Sequence, residues 1–285
     1  PLLVQGSNFV VEFDPATSYI NRYEVDGVSM LGEGGMLKPN FWRAVTDNDM
    51  GANLQRRYVV WRNPVINLKS TEVEKGKNSA SVKVVYDMPE VKGTLTLSYL
   101  IGADGQIRVT QDFNATPGAY VGNLMRFGMK LDMPYQMDQS HFYGLGPNEN
   151  YIDRCSSQRL GIYTQTADEQ FYPYIRPQET GTMSDLRWWN QTNKNGVGFR
   201  VESDKLFSAS ALHYDLLTLD EGKEKKQRHS QSVEKSKYTN LFIDLVQSGV
   251  GGVDSWGGDG RARKGHRVEY KDYTFSFRIA PKTLY

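Results

Sequence analysis

The sequence predicts an all-β protein that folds as a large antiparallel sandwich of two broad sheets. Apolar and polar residues alternate with a period of two over residues 81–86, 94–99, 107–110 and 273–279. Each run therefore has one apolar and one polar face, which is typical of a half-buried antiparallel strand. Helical periodicity is scarce, and 285 residues with this many strands must stack two sheets face to face.

Turn signals separate the predicted strands in chain order. Asp26–Gly27 follows the short predicted strand Tyr23–Val25, and Asp104–Gly105 lies between two alternating runs, where it favours a hairpin. Short helices are predicted at only two places, Asn53–Trp61 and Asp168–Phe171. The remaining pattern is one of strands and turns.

The strand pattern continues from one end of the sequence to the other, so we predict a single domain over residues 1–285. The polar run 220–237 lies inside this pattern and is interpreted as a solvated excursion rather than a linker. No repeat of 20–50 residues occurs, which argues against a propeller or solenoid. The sequence starts at Pro1 without an initiator Met or a signal peptide, and we expect it to be a piece of a longer polypeptide.

Composition excludes several function classes. The sequence has 34 Lys+Arg and 33 Asp+Glu, so it lacks the basic footprint of a nucleic-acid-binding protein. No apolar run approaches the ~20 residues of a membrane span. A single cysteine, Cys155, excludes an internal disulfide and a Cys-rich zinc site. We therefore expect no nucleic-acid partner, no membrane partner and no metal or cofactor in this chain.

Familiar catalytic motifs are absent from the sequence. It contains no phosphate loop, dinucleotide fingerprint, metalloprotease helix or nucleophile elbow. The histidines are scattered and none forms a pair at metal-ligand spacing; they are His141, His213, His229 and His266. We interpret each of them as a surface histidine or as one with its hydrogen bonds satisfied.

Four segments carry residue combinations that the strand pattern does not explain. They are residues 41–51, 143–154, 172–181 and 248–260. In the first, Asp47 and Asp49 flank an amide and precede Gly51. Asp and Asn side chains hydrogen-bond nearby backbone amides, so this segment is either a tight polar loop or the rim of a ligand site.

The second and third segments contribute further charged groups. The second presents Glu149, Asp153 and Arg154 after two glycines and a proline, and the third contains Glu179 ahead of Trp188–Trp189. An acidic residue near an arginine forms either a buried structural ion pair or a clamp for a ligand. Both interpretations stay open for these two segments.

The fourth segment places Trp256 on a glycine-rich loop, where the strand pattern gives it no core position. Flanking glycines allow unusual backbone dihedrals and leave the indole with few covering neighbours. An exposed aromatic ring can stack on the apolar C–H face of a pyranose. Trp256 is therefore either a sugar contact or a plug at one end of the sandwich.

Taken together, the four segments resemble the C-terminal domain of glycoside hydrolase family 2 β-galactosidases, which is also the small chain of the heterodimeric forms. The resemblance spans Phe41 to Trp256. The matching strings are Phe-Trp-Arg-Ala-x-Thr-Asp-Asn-Asp-x-Gly, Gly-Leu-Gly-Pro-x-Glu-Asn-Tyr-x-Asp-Arg, Tyr-x-x-Pro-Gln-Glu-x-Gly and Gly-Val-Gly-Gly-x-Asp-Ser-Trp. Val45 stands where the family commonly has proline, which removes a backbone restraint near Asp47.

The resemblance implies a β-supersandwich similar to galactose mutarotase and a function in hydrolysing terminal β-D-galactosides. It implies that the catalytic glutamates, Mg²⁺ and Na⁺ belong to a (β/α)8 barrel outside this chain, so no catalytic residue is expected here. It also implies a substrate-binding wall made of Trp256 with Asp254, and of the loop that starts at Gly51, Ala52 and Asn53.

The partners implied are the rest of the polypeptide, above all its barrel, and a β-galactoside; we expect the parent to be a homo-oligomer. Two alternatives stay open. One is a free-standing aldose mutarotase-like enzyme, which needs an acid/base pair such as Glu149 or Glu179 with His141 or His213. The other is a non-catalytic carbohydrate-binding module.

Overall fold

A computed structural model of the protein describes residues 1–220, 222–224 and 228–283. Strands dominate this part of the chain, and they pair antiparallel throughout. The strands are β1 (Leu2–Gln5), β2 (Phe9–Phe13), β3 (Ile20–Val25), β4 (Val28–Ser29), β5 (Leu37–Asn40), β6 (Asn67–Lys75), β7 (Ser79–Met88), β8 (Gly93–Gly102), β9 (Ile107–Ala115), β10 (Arg126–Pro134), β11 (Gln139–Gly146), β12 (Arg159–Thr166), β13 (Met183–Thr192), β14 (Gly198–Leu212), β15 (Tyr238–Gln247) and β16 (Tyr273–Lys282).

The helices are short and lie in the connections. The α-helices are α1 (Asp47–Gly51), α2 (Leu54–Arg57), α3 (Ala167–Gln170) and α4 (Leu216–Leu219). Single 3₁₀ turns occupy Val59–Trp61, Pro89–Val91, Ser230–Ser232, Gly257–Gly260 and Lys264–His266. Among the described residues, no helix has the length and apolar character needed to cross a membrane.

Hydrogen bonding joins the strands in one continuous path. Its order is β1-β2-β3-β5-β10-β15-β14-β16-β9-β8-β7-β6. A side branch leaves this path at β14, where β13 pairs with β14, β11 with β13, and β12 with β11. The long strand β14 thus contacts β13, β15 and β16, and it connects the branch to the main path.

The two ends of the path lie face to face. The ring of Phe13 on β2 meets that of Tyr99 on β8 edge-on, with 5.2 Å between the centroids. The hydroxyl of Tyr23 on β3 donates to the carbonyl of Gly105, in the β8–β9 turn, over 2.6 Å. Because these strands are far apart along the path, the contacts show that it folds over itself into a sandwich. The predicted all-β sandwich is confirmed, but its two layers belong to one hydrogen-bonded path.

The local predictions agree with this fold. The four alternating runs lie in β7, β8, β9 and β16, and Asp104–Gly105 forms the hairpin turn between β8 and β9. Asp26–Gly27 turns the chain between β3 and β4, and both predicted helical segments contain helical turns.

The polar run 220–237 differs in part from its prediction. Residues 221 and 225–227 lie outside the described residues. At the start of the run Asp220 is buried rather than solvated, because its carboxylate accepts from the indole N–H of Trp42 (3.0 Å) and from Arg62 (2.5 Å). An acidic residue at the beginning of the run is thus part of the packed structure.

Trp61 fills the space between the layers beside β9. Its side chain has no exposed surface, and its indole N–H donates to the carbonyl of Gly122 over 2.7 Å. Its ring lies 5.4 Å from that of Phe41 and 5.7 Å from that of Phe113. Removing this ring would leave a cavity between the two layers.

We expect Trp61→Ala to lower the free energy of unfolding by about 3–5 kcal/mol, the usual cost of a large aromatic-to-alanine cavity. Urea titration of the 285-residue chain measures it. Trp256→Ala is the matched control, since 71% of that side chain is exposed, and we expect a change within about 0.5 kcal/mol. Equal losses in the two variants would contradict the assignment of Trp61 to the core.

Candidate functional site

The first unusual segment folds as the capped start of α1. The hydroxyl of Thr46 accepts from the N–H of Asp49 (3.0 Å), and the Asp49 carboxylate accepts from the N–H of Thr46 (3.0 Å). This reciprocal pair is a capping box, which satisfies two amides that would otherwise have no partner. Asp47 and Asn48 therefore lie in the first turn of the helix.

A fully buried guanidinium, that of Arg43, connects α1 to the glycine-rich loop. Its Nε and Nη2 donate to the Asp49 carboxylate over 3.0 and 2.9 Å. Its Nη1 and Nη2 donate to the carbonyls of Ser248 and Gly249 over 2.5 and 2.8 Å. Burial alone would lower the pKa of Arg43, but the Asp49 carboxylate holds this pKa above its ordinary value. The buried group thus stays charged.

The second segment anchors the same loop from another side. The carboxylate of Asp153 accepts from the backbone amides of Val250 (3.0 Å) and Gly251 (2.9 Å). A Cβ at Gly249 would overlap this carboxylate, so the close approach needs glycine there. Asp153 is therefore a structural anchor in this fold rather than a free acidic group.

The third segment is joined to the first. The side-chain amide of Gln178 donates to the Asp47 carboxylate over 3.1 Å, and its carbonyl oxygen accepts from the Asp47 amide over 3.2 Å. Arg176 forms an ion pair with the same carboxylate. The Glu179 amide donates to the carbonyl of Ala44 over 3.0 Å. All four segments thus meet at one end of the sandwich.

Arg126 forms a second buried charged cluster beneath this end. Its guanidinium lies 2.5 Å from the Asp244 carboxylate and 3.5 Å from that of Glu179. The hydroxyl of Tyr151 donates to Glu179 over 3.3 Å. Burial raises the pKa of Asp244 to about 6, and Arg126 opposes this rise. Glu179 therefore lies in a structural ion-pair network, which favours the structural interpretation of the third segment.

The carboxylate of Glu149, like that of Glu179, is paired with groups of the protein. It lies 2.5 Å from Arg154, accepts from the backbone amide of Gly181 over 2.6 Å and also accepts from the hydroxyl of Tyr174. These contacts connect the second segment to the third. Glu149 therefore pairs within its own segment and with the third segment, whereas Arg176 and Glu179 pair with residues outside both segments.

The loop that carries Trp256 packs directly on α1. The side-chain amide of Asn48 donates to the carbonyl of Asp254 over 3.0 Å, and the Asp254 carboxylate accepts from the Trp256 amide over 3.0 Å. A Cβ at Gly51 would overlap the carbonyl oxygen of Ser255. Backbone contact this close positions the loop, while the indole of Trp256 stays largely exposed.

An open cavity of about 600 Å³ lies beside these two loops. Met50, Gly51, Asn53 and Ser255 are among the residues that line it. Asn53 is exposed and adopts a left-handed backbone conformation (φ 61°), whereas the side chain of Ala52 is buried. The structure thus brings Gly51 and Asn53 to the same end as Asp254 and Trp256, and turns the Ala52 side chain inward.

The histidines lie away from the two glutamates that the mutarotase-like alternative would need. His213 stacks on Tyr135 with 3.7 Å between the ring centroids, and His141 packs edge-on against Trp188. Within the part of the chain that the structure describes, neither histidine forms a hydrogen bond or ion pair with Glu149 or Glu179. The same residues contain no group of three or more His, Cys, Asp or Glu side chains that could hold a metal ion.

Sequence reasoning missed the anchoring role of Arg43 and Asp153. The sequence motif contains Arg43 but does not show what it binds, because its partners at Ser248 and Gly249 lie about two hundred residues away. A local signal did exist, since a basic residue precedes Asp49 by six positions in a segment that is otherwise apolar up to Thr46. That spacing is compatible with an ion pair across a helix start.

We expect Gly51→Ala to lower the free energy of unfolding by about 1–3 kcal/mol, because the new Cβ would press against the carbonyl of Ser255. The matched control is Gly258→Ala in the same loop, where a Cβ meets no atom within 4 Å. We expect the control to stay within about 0.5 kcal/mol of the unsubstituted chain. Chemical denaturation measures both, and a neutral Gly51→Ala would refute the close contact.

Known proteins with similar sequences identify the family of this chain. A family model described as "Beta galactosidase small chain" matches residues 5–279. The β-galactosidase of Priestia megaterium is 31% identical over 90% of this chain, and that of Lactobacillus delbrueckii subsp. bulgaricus is 35% identical over 89%. This chain covers 24% of each of them, so it spans about a quarter of the length of these curated relatives.

A solved structure supports the fold. The GalM/aldose epimerase homologue from C. elegans aligns over 100% of this chain and 99% of its own, with a TM-score of 0.51 and 6% sequence identity. At this identity the likeness shows a shared galactose mutarotase-like fold. Because the family model covers nearly the whole sequence, this chain belongs to the β-galactosidase small-chain family.

Proposed function

We propose that this chain is the C-terminal domain of a β-galactosidase that hydrolyses terminal β-D-galactosides, and that it acts as one domain over residues 1–285. In this proposal Trp256, Asp254 and the loop that starts at Gly51 form a substrate-binding wall beside the catalytic barrel. The observation that carries the proposal is the exposed indole of Trp256 on a loop whose backbone is held at several points.

Glycoside hydrolysis requires two carboxyl groups that flank the scissile bond, separated by about 5–9.5 Å according to mechanism. In the four-segment region, Asp49, Glu149, Asp153 and Glu179 each bind an arginine or backbone amides. This engagement supports a role in structure rather than in proton transfer. The catalytic carboxylates, with Mg²⁺ and Na⁺, then belong to the barrel.

The contribution of the wall is to position the substrate. A flat indole offers an apolar face to the C–H groups of a pyranose, and the neighbouring amide of Asn53 can hydrogen-bond hydroxyl groups. A ring on a well-held loop loses little conformational freedom when it binds, so more of the contact energy remains for orienting the substrate. Trp256 therefore aligns the sugar or its leaving group for reactions carried out elsewhere in the polypeptide.

We expect the 285-residue chain alone to fold but not to hydrolyse a nitrophenyl β-galactoside. The chain spans a quarter of its relatives, and a (β/α)8 barrel of about 250 residues has no place in its strand pattern. Release of nitrophenol is compared with a heat-denatured sample and with the full-length polypeptide. Turnover by the chain alone would overturn the division of roles.

In the full-length polypeptide, we expect Trp256→Ala to weaken substrate binding by about 1–3 kcal/mol, roughly 5- to 150-fold. The ring contacts ground state and transition state alike, so the loss falls mainly on KM rather than on kcat. Steady-state kinetics measure both constants.

The controls for this experiment lie in the same loop. Val253→Ala removes another exposed apolar side chain (69% exposed) and should leave KM nearly unchanged. Trp256→Phe retains an aromatic face and should recover part of the lost affinity. An unaltered KM in Trp256→Ala, or an equal rise in Val253→Ala, would refute the binding wall.

A further inference from the structure

A second cavity lies apart from the loops that carry Trp256 and Gly51. It measures about 380 Å³ and lies between β5, the start of α4 and residues 61–66, and it shares no lining residue with the cavity beside Gly51 and Ser255. Cavities that bind small ligands usually measure about 300–1,000 Å³, so this one has room for a mono- or disaccharide.

Two polar groups that line this cavity have no protein partner. Asn40 is only 8% exposed; its carbonyl oxygen accepts from the Trp42 amide over 3.3 Å, while its NH₂ group makes no hydrogen bond. The hydroxyl of Tyr19 also makes none within the part of the chain that the structure describes. Burial raises the pKa of Tyr19 to about 12, so this hydroxyl stays a neutral donor and acceptor. An unpaired buried amide costs about 1–3 kcal/mol, which a ligand hydroxyl would offset.

The positively charged side chains that line the cavity form ion pairs with carboxylates. Lys130 lies 2.7 Å from Asp215 and 3.0 Å from Asp132, while Arg62 lies 2.5 Å from Asp220. Burial would lower the pKa of Lys130, but Asp132 and Asp215 hold that pKa above its ordinary value. Lys38 lies 3.8 Å from Asp132, so each of the three cations that line the cavity is paired with a carboxylate, although only Asp215 among these carboxylates lines it. An anion would therefore have to compete with a carboxylate partner that each cation already has.

The cavity also has an apolar side, formed by Phe41, Ile66 and Leu217. Uncharged donors and acceptors opposite apolar groups match a molecule that carries hydroxyls around an apolar ring. We propose that this cavity is an accessory binding site for a neutral sugar, separate from the substrate-binding wall. Asn40 and Tyr19 hydrogen-bond its hydroxyl groups, and Phe41 and Leu217 contact its C–H face.

The test is calorimetric titration of the 285-residue chain with galactose, with lactose and with inorganic phosphate. We expect at least one sugar to bind and phosphate not to bind, and we expect sugar binding to persist in Trp256→Ala, which removes the ring of the substrate-binding wall. Binding of phosphate without sugar would identify an anion site and overturn the proposal. Loss of sugar binding in Trp256→Ala would assign the sugar to the other face and also overturn it, as would no sugar binding at all.

Two variants locate the sugar. Tyr19→Phe removes only a hydroxyl that has no protein partner, so the fold is preserved, and we expect affinity to fall about two- to tenfold. Leu217→Trp fills the mouth of the cavity from an exposed position and should lower affinity at least tenfold. Tyr120→Phe, at a side chain that is 99% exposed and outside the cavity, is the control and should bind as the unsubstituted chain does. Unchanged affinity in both Tyr19→Phe and Leu217→Trp would overturn the proposal.

Discussion

The buried guanidinium of Arg43 is the contact on which the arrangement of the four segments depends. It binds the carboxylate that caps α1 and two carbonyls at the start of the glycine-rich loop, so it joins chain segments two hundred residues apart. Desolvating a charge is costly unless it is paired and fully hydrogen-bonded. Here four hydrogen bonds meet that condition, and losing either Asp49 or the loop carbonyls would leave the charge incompletely paired. The helix start and the loop are therefore held in one relative position.

The residues that hold the loops in place are different from the residues that the loops expose at the surface. Arg43, Asp153 and the Arg126 cluster lie beneath the loops and hold them through buried ion pairs and backbone hydrogen bonds. The groups left at the surface, Trp256 and Asn53, make few contacts with the rest of the chain and are available for a ligand. The proposed positioning of a substrate requires support of this kind below an exposed ring.

Strands with one polar face could be predicted from the sequence, because period-two alternation records which face is buried. β10 could not, because it is buried on both faces while it carries Arg126, Lys130 and Asp132. Lys130 and Asp132 pair within the strand, but Arg126 and Lys130 also have partners on distant elements, and hydropathy cannot show that a buried charge will be paired. The glycine neighbours of Trp256 left two interpretations open, an exposed ring or a plug at one end of the sandwich, and the structure shows the ring exposed. The anchors at Arg43 and Asp153 depend on long-range contacts that no local pattern contains.

Asp153 holds the glycine-rich loop through the amides of Val250 and Gly251, and Arg43 holds it through carbonyls. These hydrogen bonds use backbone N–H and C=O groups, which are present whatever side chain the residue has. The outward-facing positions of this loop, such as Val253 and Ser255, can therefore change during evolution or in the laboratory without displacing the loop itself. The anchoring pattern therefore allows the outward-facing side chains of this loop to vary while the backbone of the loop keeps its position.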